Sequence, residues 1–266
     1  MAYLTINADD FGLTKEVTLG IQESISNGIV TSTGAMVCVK GARQNIQAYA
    51  SKTKGSIGAH LQLTDGKPIL AADEIPSLTD KNGMFYSKSK DLPWILNAEQ
   101  IYNEWKAQIA QLLSIGIRPE FLDTHHNVHM RSQVLPTLAK LSLELNIPVR
   151  SGSSLVTNQL RFLGASCPDV TIINYFGKDL SWERIEYLIC KERDNLGEDA
   201  VIELSCHPGY SSNELEEISY YTKDREIELK VLTSEKIKNR ISKLGFQLIP
   251  MKDVNKLRPV NTNKIK

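Results

Sequence analysis

The stretch YLTINADDFGLTKEVTLGIQESISNGIV, residues 3–30, decides the fold. Its first six residues, YLTINA, form a short apolar-rich run that reads as a strand. Two acids follow, Asp9 and Asp10. From Lys15 to Asn27 the apolar residues Val17, Ile21 and Ile25 recur four apart, the spacing of one helix face, and Gly28 is placed to cap that helix. A strand, a loop carrying acids and a helix make one βα unit.

The rest of the chain repeats that unit. GAMVCV (34–39), SIGAHLQL (56–63), FLD (121–123), PVRS (148–151), DVTIINYF (169–176), AVIELSC (200–206) and FQLIPM (246–251) are further strand candidates. Helical patterns fill 99–116, 132–146, 181–195 and 226–245, with Pro136 in the first turns of the second. Strands alternating with helices predict a parallel sheet. About eight strand candidates, or seven with one segment misread, predict an α/β fold: a single-domain (β/α) barrel, TIM-like and distorted or seven-stranded. The domain is expected over 1–254, followed by a basic C-terminal tail at 255–266. Residues 64–98 show no periodicity, and a loop that long reads as a lid or binding loop.

Composition narrows the function. Lys+Arg and Asp+Glu balance at 31 each, which argues against a broad surface for nucleic acid or anionic membrane. Four cysteines without a CxxC pair support neither a zinc–cysteine site nor a disulfide framework. The N-terminus reaches two aspartates by residue 10, unlike a signal peptide or membrane span, so a cytoplasmic protein is expected.

All five histidines fall near predicted strand ends. His60 lies in the strand at 56–63, His125, His126 and His129 follow Asp123, and His207 follows AVIELSC. Asp9 and Asp10 stand at the end of the first strand. In a parallel barrel these positions share the carboxyl face, where such folds build active sites. Each motif alone has a bland reading: a capped turn, a satisfied core histidine, a polar loop. Their convergence on one face does not. One Asp and two His from three strands suit a divalent ion and leave positions for water, whose pKa such an ion lowers. A second acid can take the water's proton, and a histidine across the site can protonate a leaving group.

NADDFG, GAHLQLTDGKPI, LDTHHNVHM and CHPGY, in that order, resemble the YdjC-type carbohydrate deacetylases, which include the chitooligosaccharide deacetylases. The resemblance covers about residues 3–210. It implies a barrel-like fold, one divalent metal (zinc or magnesium), a homodimer, and hydrolysis of an N-acetyl group from an acetylated amino sugar. It implies Asp9 as catalytic base, Asp10, His60 and His125 as metal ligands, and His207 as general acid. Many relatives have Gln where this chain has His126, and His where it has Asn127, changes expected to bear on substrate contacts. His129 matches a recurrent family histidine, as second-shell partner or sugar contact. Arg150 is expected to bind a sugar hydroxyl, orient an acid or form a structural ion pair. Trp94 and Tyr210 are candidate sugar platforms, with Phe85 and Tyr86 beside them in the loop. Two alternatives stay open: a metal-dependent phosphoesterase or non-sugar amidase, and a non-catalytic sugar-binding protein. A phosphate substrate calls for a Lys/Arg cluster or Gly-rich loop, and neither lies beside the motifs in sequence.

Overall fold

The computed structural model describes residues 1–177 and 179–260. Its strands are β1 (Ala2–Phe11), β2 (Ser32–Ala35), β3 (Ser56–Leu61), β4 (Leu122–Thr124), β5 (Val170–Ile172), β6 (Val201–Cys206) and β7 (Phe246–Leu248). They form one sheet in the order β4-β3-β2-β1-β6-β5, with β7 beside the start of β1, and every pairing is parallel. PVRS is not a strand. It makes a single bridge, Leu122 to Val149, yet it closes the ring. Arg150 N donates to Leu122 O on one side, and Thr171 N donates to Gly152 O on the other. The result is an α/β single domain whose seven strands make a distorted barrel.

Alternation along the strands sorts the interior into layers. Leu4, Ile6 and Ala8 of β1 and Ile202 and Leu204 of β6 belong to the large apolar core shared with the helices. The intervening residues point into the lumen. At its lower end Phe121, Val201, Ile249, Met251 and Val254 form a separate apolar plug. Above the plug the lumen turns polar, with Glu203, Asn7, Asp123, Asp9 and Arg150 all buried.

The helices are α1 (Lys15–Asn27), α2 (Ala42–Tyr49), α3 (Ala98–Ser114), α4 (Leu135–Leu145), α5 (Ser154–Phe162), α6 (Trp182–Leu196), α7 (Asn213–Ile218), α8 (Lys223–Leu232), α9 (Glu235–Lys243) and α10 (Val254–Leu257). The helical pattern at 226–245 proves to be two helices. Leu232 O accepts from Ile29 N instead of continuing the turn, and Thr233 and Ser234 break the ladder. The second strand comprises Ser32–Ala35 rather than 34–39, which frees residues 36–40 to line the cleft above. Residues 64–97 are irregular apart from a short turn at Ser89–Asp91 and isolated bridges, and Ala98 opens α3. Glu104 of α3 pins this loop by accepting from Ile69 N and Leu70 N at 3.0 and 2.9 Å. Of the basic C-terminal segment, Arg258 is docked on Asp169 at 2.8 Å, and residues 261–266 lie outside the described residues. No described helix is long and apolar enough to cross a membrane.

Candidate active site

A cleft of about 1360 Å³ opens at the carboxyl ends of the strands. At its floor β1 runs on through both aspartates to Phe11, so these acids lie inside the strand and not after it. Two adjacent strand residues would normally face opposite ways. Here the register against β2 slips between Ala8 and Phe11, and Asp10 takes a left-handed φ of 73°. This bulge lets both side chains serve one site. Left-handed backbone recurs at Asp65, His126 and Asn127, which also line the cleft. Such strain in non-glycine residues concentrates where the surroundings enforce it.

Asp10, His60 and His125 meet as a near-equilateral triangle. Asp10 Oδ1 stands 3.4 Å from His60 Nε2 and 3.3 Å from His125 Nδ1, and the two nitrogens are 3.3 Å apart. Ligand atoms about 2.0–2.1 Å from a four-coordinate ion stand about 3.3–3.4 Å apart, so the triangle has the dimensions of one face of such a shell. Among the described residues Asp10 Oδ1 is also buried with no well-aligned hydrogen bond, which leaves a lone pair for a cation. The donors are held from behind. His60 Nδ1 lies 2.9 Å from Asp123 Oδ1, His125 Nε2 lies 3.3 Å from Asp65 Oδ2, and Arg225 Nη2 donates to Asp10 Oδ2 at 2.7 Å. Carboxylates behind ligating imidazoles fix the tautomer and aim the other nitrogen inward. Burial alone would lower the His60 imidazole, but Asp123, with Asp9 and Asp10, overrides it and pushes its pKa up to about 10. The same field favours any cation at this point. The residues therefore fit a divalent metal.

Gly34 makes room for this arrangement. A Cβ there would lie 2.8 Å from both carboxylate oxygens of Asp123 and 3.0 Å from His60 Cβ.

Asp9 is clamped from several sides. Arg150 donates to its two oxygens at 2.7 Å each, Asn7 Nδ2 donates at 2.8 Å and Ser205 Oγ at 3.1 Å. Burial would raise this carboxyl, but the Arg150 guanidinium, helped by His60 and His207, holds it well below the usual carboxylate range. Across from it, His207 Nε2 lies 3.7 Å from Asp9 Oδ2. Burial pushes the His207 imidazole down to about 4, so it is neutral at pH 7.

The other sequence candidates are placed differently. His126 lines the cleft, its Nδ1 3.0 Å from Thr64 Oγ1. His129 does not line it. That ring is fully buried, with Nε2 2.8 Å from Ser151 O and Nδ1 2.6 Å from Thr124 Oγ1, so it braces β4 against the closing segment. Arg150 is fully buried and reaches Asp9 and Glu203, out of reach of a sugar. Trp94 is 89% exposed away from the cleft, and Tyr210 sits on Glu23 outside it. Phe85 is buried under the loop.

Several cleft residues were not legible in the motifs. Phe176, Tyr220 and Tyr221 form an aromatic wall beside His207, with Phe176 edge-on to the imidazole at 5.3 Å and stacked on Tyr221 at 4.2 Å. Glu228 of α8 accepts from His207 N at 2.6 Å. Lys40, Lys67, Lys88 and Lys90 gather along the cleft. Lys67 belongs to the motif GAHLQLTDGKPI, and the other three reach the cleft from loops that the fold brings to it.

The profile of the YdjC-like protein family matches residues 3–243. The chain belongs to the YdjC-like family. Among curated relatives, the carbohydrate deacetylase of Enterococcus faecalis is 36% identical, over 92% of this chain and 95% of the relative. That of Clostridium beijerinckii is 33% identical, over 94% and 99%. Among solved structures, a candidate cellobiose-phosphate cleavage protein from Enterococcus faecalis superposes with a TM-score of 0.84 at 34% identity, covering 95% of this chain and 98% of that one. A Xyl-CE4 domain of a xylanase from the Trinervitermes trinervoides hindgut metagenome has a TM-score of 0.50 at 11% identity, covering 98% and 93%, a likeness of fold alone. The barrel of this YdjC-like chain is thus that of its relatives.

Proposed function

We propose that this YdjC-like protein is a metal-dependent hydrolase that removes the acetyl group from acetylated amino sugars, short chitooligosaccharides being the first candidates. The observation that carries the reading is the 3.3–3.4 Å triangle of Asp10, His60 and His125, flanked by an ionised Asp9 and a neutral His207. A divalent ion held by those three residues would supply Lewis-acid activation of water and of the acetamido carbonyl.

The chain's own residues supply the proton transfers. Asp9 Oδ2 accepts the proton of the attacking water. His207 Nε2 lies 3.7 Å from Asp9 Oδ2, on the far side of the reacting position, where it can serve the departing amine. Asp9 and His207 face each other across the reacting position, so one is placed to take the water's proton and the other to deliver a proton to the amine nitrogen. Glu228 holds the backbone of His207 in place through this exchange. Phe176 and Tyr220, both exposed on the cleft wall, offer the apolar ring faces that a pyranose stacks on. They replace Trp94 and Tyr210 in that role.

The reading is tested by acetate release from diacetylchitobiose. Release should stop with chelator and return on adding a divalent metal; full activity in a metal-stripped sample would refute it. The four lysines favour keeping one second reading, a hydrolase of anionic substrates. Phosphate release from sugar phosphates, without acetate release from any acetylated sugar, would select it.

A further inference from the structure

Two buried arginines serve the floor of the cleft, and they differ in one respect. Arg150 spends all three guanidinium nitrogens, Nε on Glu203 and both Nη on Asp9. Arg225 spends two. Its Nε donates to Tyr221 O at 2.9 Å and its Nη2 to Asp10 Oδ2 at 2.7 Å. Its Nη1 is buried without a hydrogen-bond partner among the described residues, although Arg225 is 3% exposed and lines the cleft. Leaving a charged donor unpaired out of water is costly, so such a group is normally matched by protein, water or a bound ligand, and beside a cleft a ligand atom can take that place. Its position narrows what that atom is. Nη1 belongs to the guanidinium that grips Asp10, the acid at one corner of the triangle. Arg225 lines the cleft, so an acceptor that reaches Nη1 from there meets a cation, and an oxygen carrying negative charge matches it best.

We propose that Arg225 is a substrate-contacting residue of this site, whose Nη1 donates to the acyl oxygen as it gains negative charge and to a carboxylate oxygen of the acetate released. The first half rests on the hydrolase reading; capture of acetate stands on the geometry alone. Arg225 forms no covalent bond and transfers no proton, so its part is to stabilise developing charge with a preset donor. Tyr221 and Asp10 hold the guanidinium in advance of the substrate.

The experiment uses the metal-loaded full chain and measures three things: metal affinity, acetate affinity by calorimetry, and deacetylation kinetics. Lysine can reach one partner but not two at once, so Arg225→Lys separates the roles. We expect metal affinity within about threefold of wild type, acetate affinity at least about tenfold weaker, and kcat down about 100-fold with KM little changed. Acetate affinity equal to wild type, or metal loss in step with activity, would overturn the proposal. Should that variant not fold, guanidinium NMR of the wild-type chain decides. Acetate should shift the Arg225 resonances, and unmoved resonances would reject the contact. A wild type that binds acetate through Arg225 but deacetylates no sugar would sink the hydrolase reading and leave the anion contact standing.

Discussion

The floor and the rim of the cleft are built on opposite terms. On the floor, Asp9, Asp10, His60 and Asp123 are at most 4% exposed, and each is fixed by strand ends and by hydrogen bonds from other elements. On the rim, Tyr220 is 79% exposed, Phe176 and Ile218 are also open to solvent, and the lysines come from loops. The floor is preorganised before any ligand arrives, which is what stabilising charge in a transition state requires. The rim has rotamer freedom to lose, which suits recognition of a variable partner. The chemistry and the selectivity of this protein should therefore fail separately.

The harshest test of that separation is Asp9→Asn. The amide keeps the shape but cannot take a proton, and turnover should fall about 1000-fold or more, with metal content by elemental analysis unchanged. Loss of metal in that variant would show that the base and the ligand triangle are one unit. Next comes Asp123→Asn, which keeps volume and removes the anion behind His60. Metal affinity by calorimetry should weaken about 10–100-fold while KM measured at saturating metal stays put. On the rim the effects should invert. Phe176→Ala with Tyr220→Ala should raise KM for diacetylchitobiose about tenfold, roughly 1.4 kcal/mol, and leave metal affinity alone. A collapse of kcat instead would place Phe176 in the support of His207.

The smallest effect is thermal and belongs to the metal-free protein. His207, His126 and His129 are all pushed down to about 4 when folded, mainly by burial, against about 6.5 unfolded. Between those values the unfolded chain binds more protons, so stability falls as pH drops from 6.5 towards 4. Glu228, raised to about 7 by burial, and Glu203, also raised by burial, work the other way above 4.5, but they are two groups against three. His60, raised to about 10, contributes stability that is whole below 6.5 and lost as pH climbs to 10. The melting temperature should peak near pH 6.5. Added metal should flatten the alkaline side, since it takes the place of the His60 proton. A scan by calorimetry with and without chelator checks both limbs.

The sequence showed the floor far better than the rim. Asp9, Asp10, His60, His125 and His207 stand in short motifs at strand ends, and strand-end position survives translation into three dimensions. The barrel was legible for the same reason, since apolar runs of four to six residues mark buried strands. Boundaries were not. The apolar run predicts that β1 ends at Ala8, since acids seldom continue a strand, and the bulge that lets it go on brings both acids to Arg150 and Arg225, which arrive from residues far away. Arg225 and Glu228 sit on an ordinary charged helix whose pattern reads as solvent-facing; burial of that face is a tertiary fact. Trp94 misled because a tryptophan in a long loop suggests a ring platform, whereas the loop is anchored by backbone bonds and leaves this side chain outside.

Gly34 carries a consequence for how such a protein can change. The missing side chain holds open the space in which Asp123 meets His60. A single methyl there would press on the carboxylate, tilt the imidazole behind it and be felt at the triangle, two contacts away. Position 34 thus governs the geometry of the triangle without contributing a side chain to it.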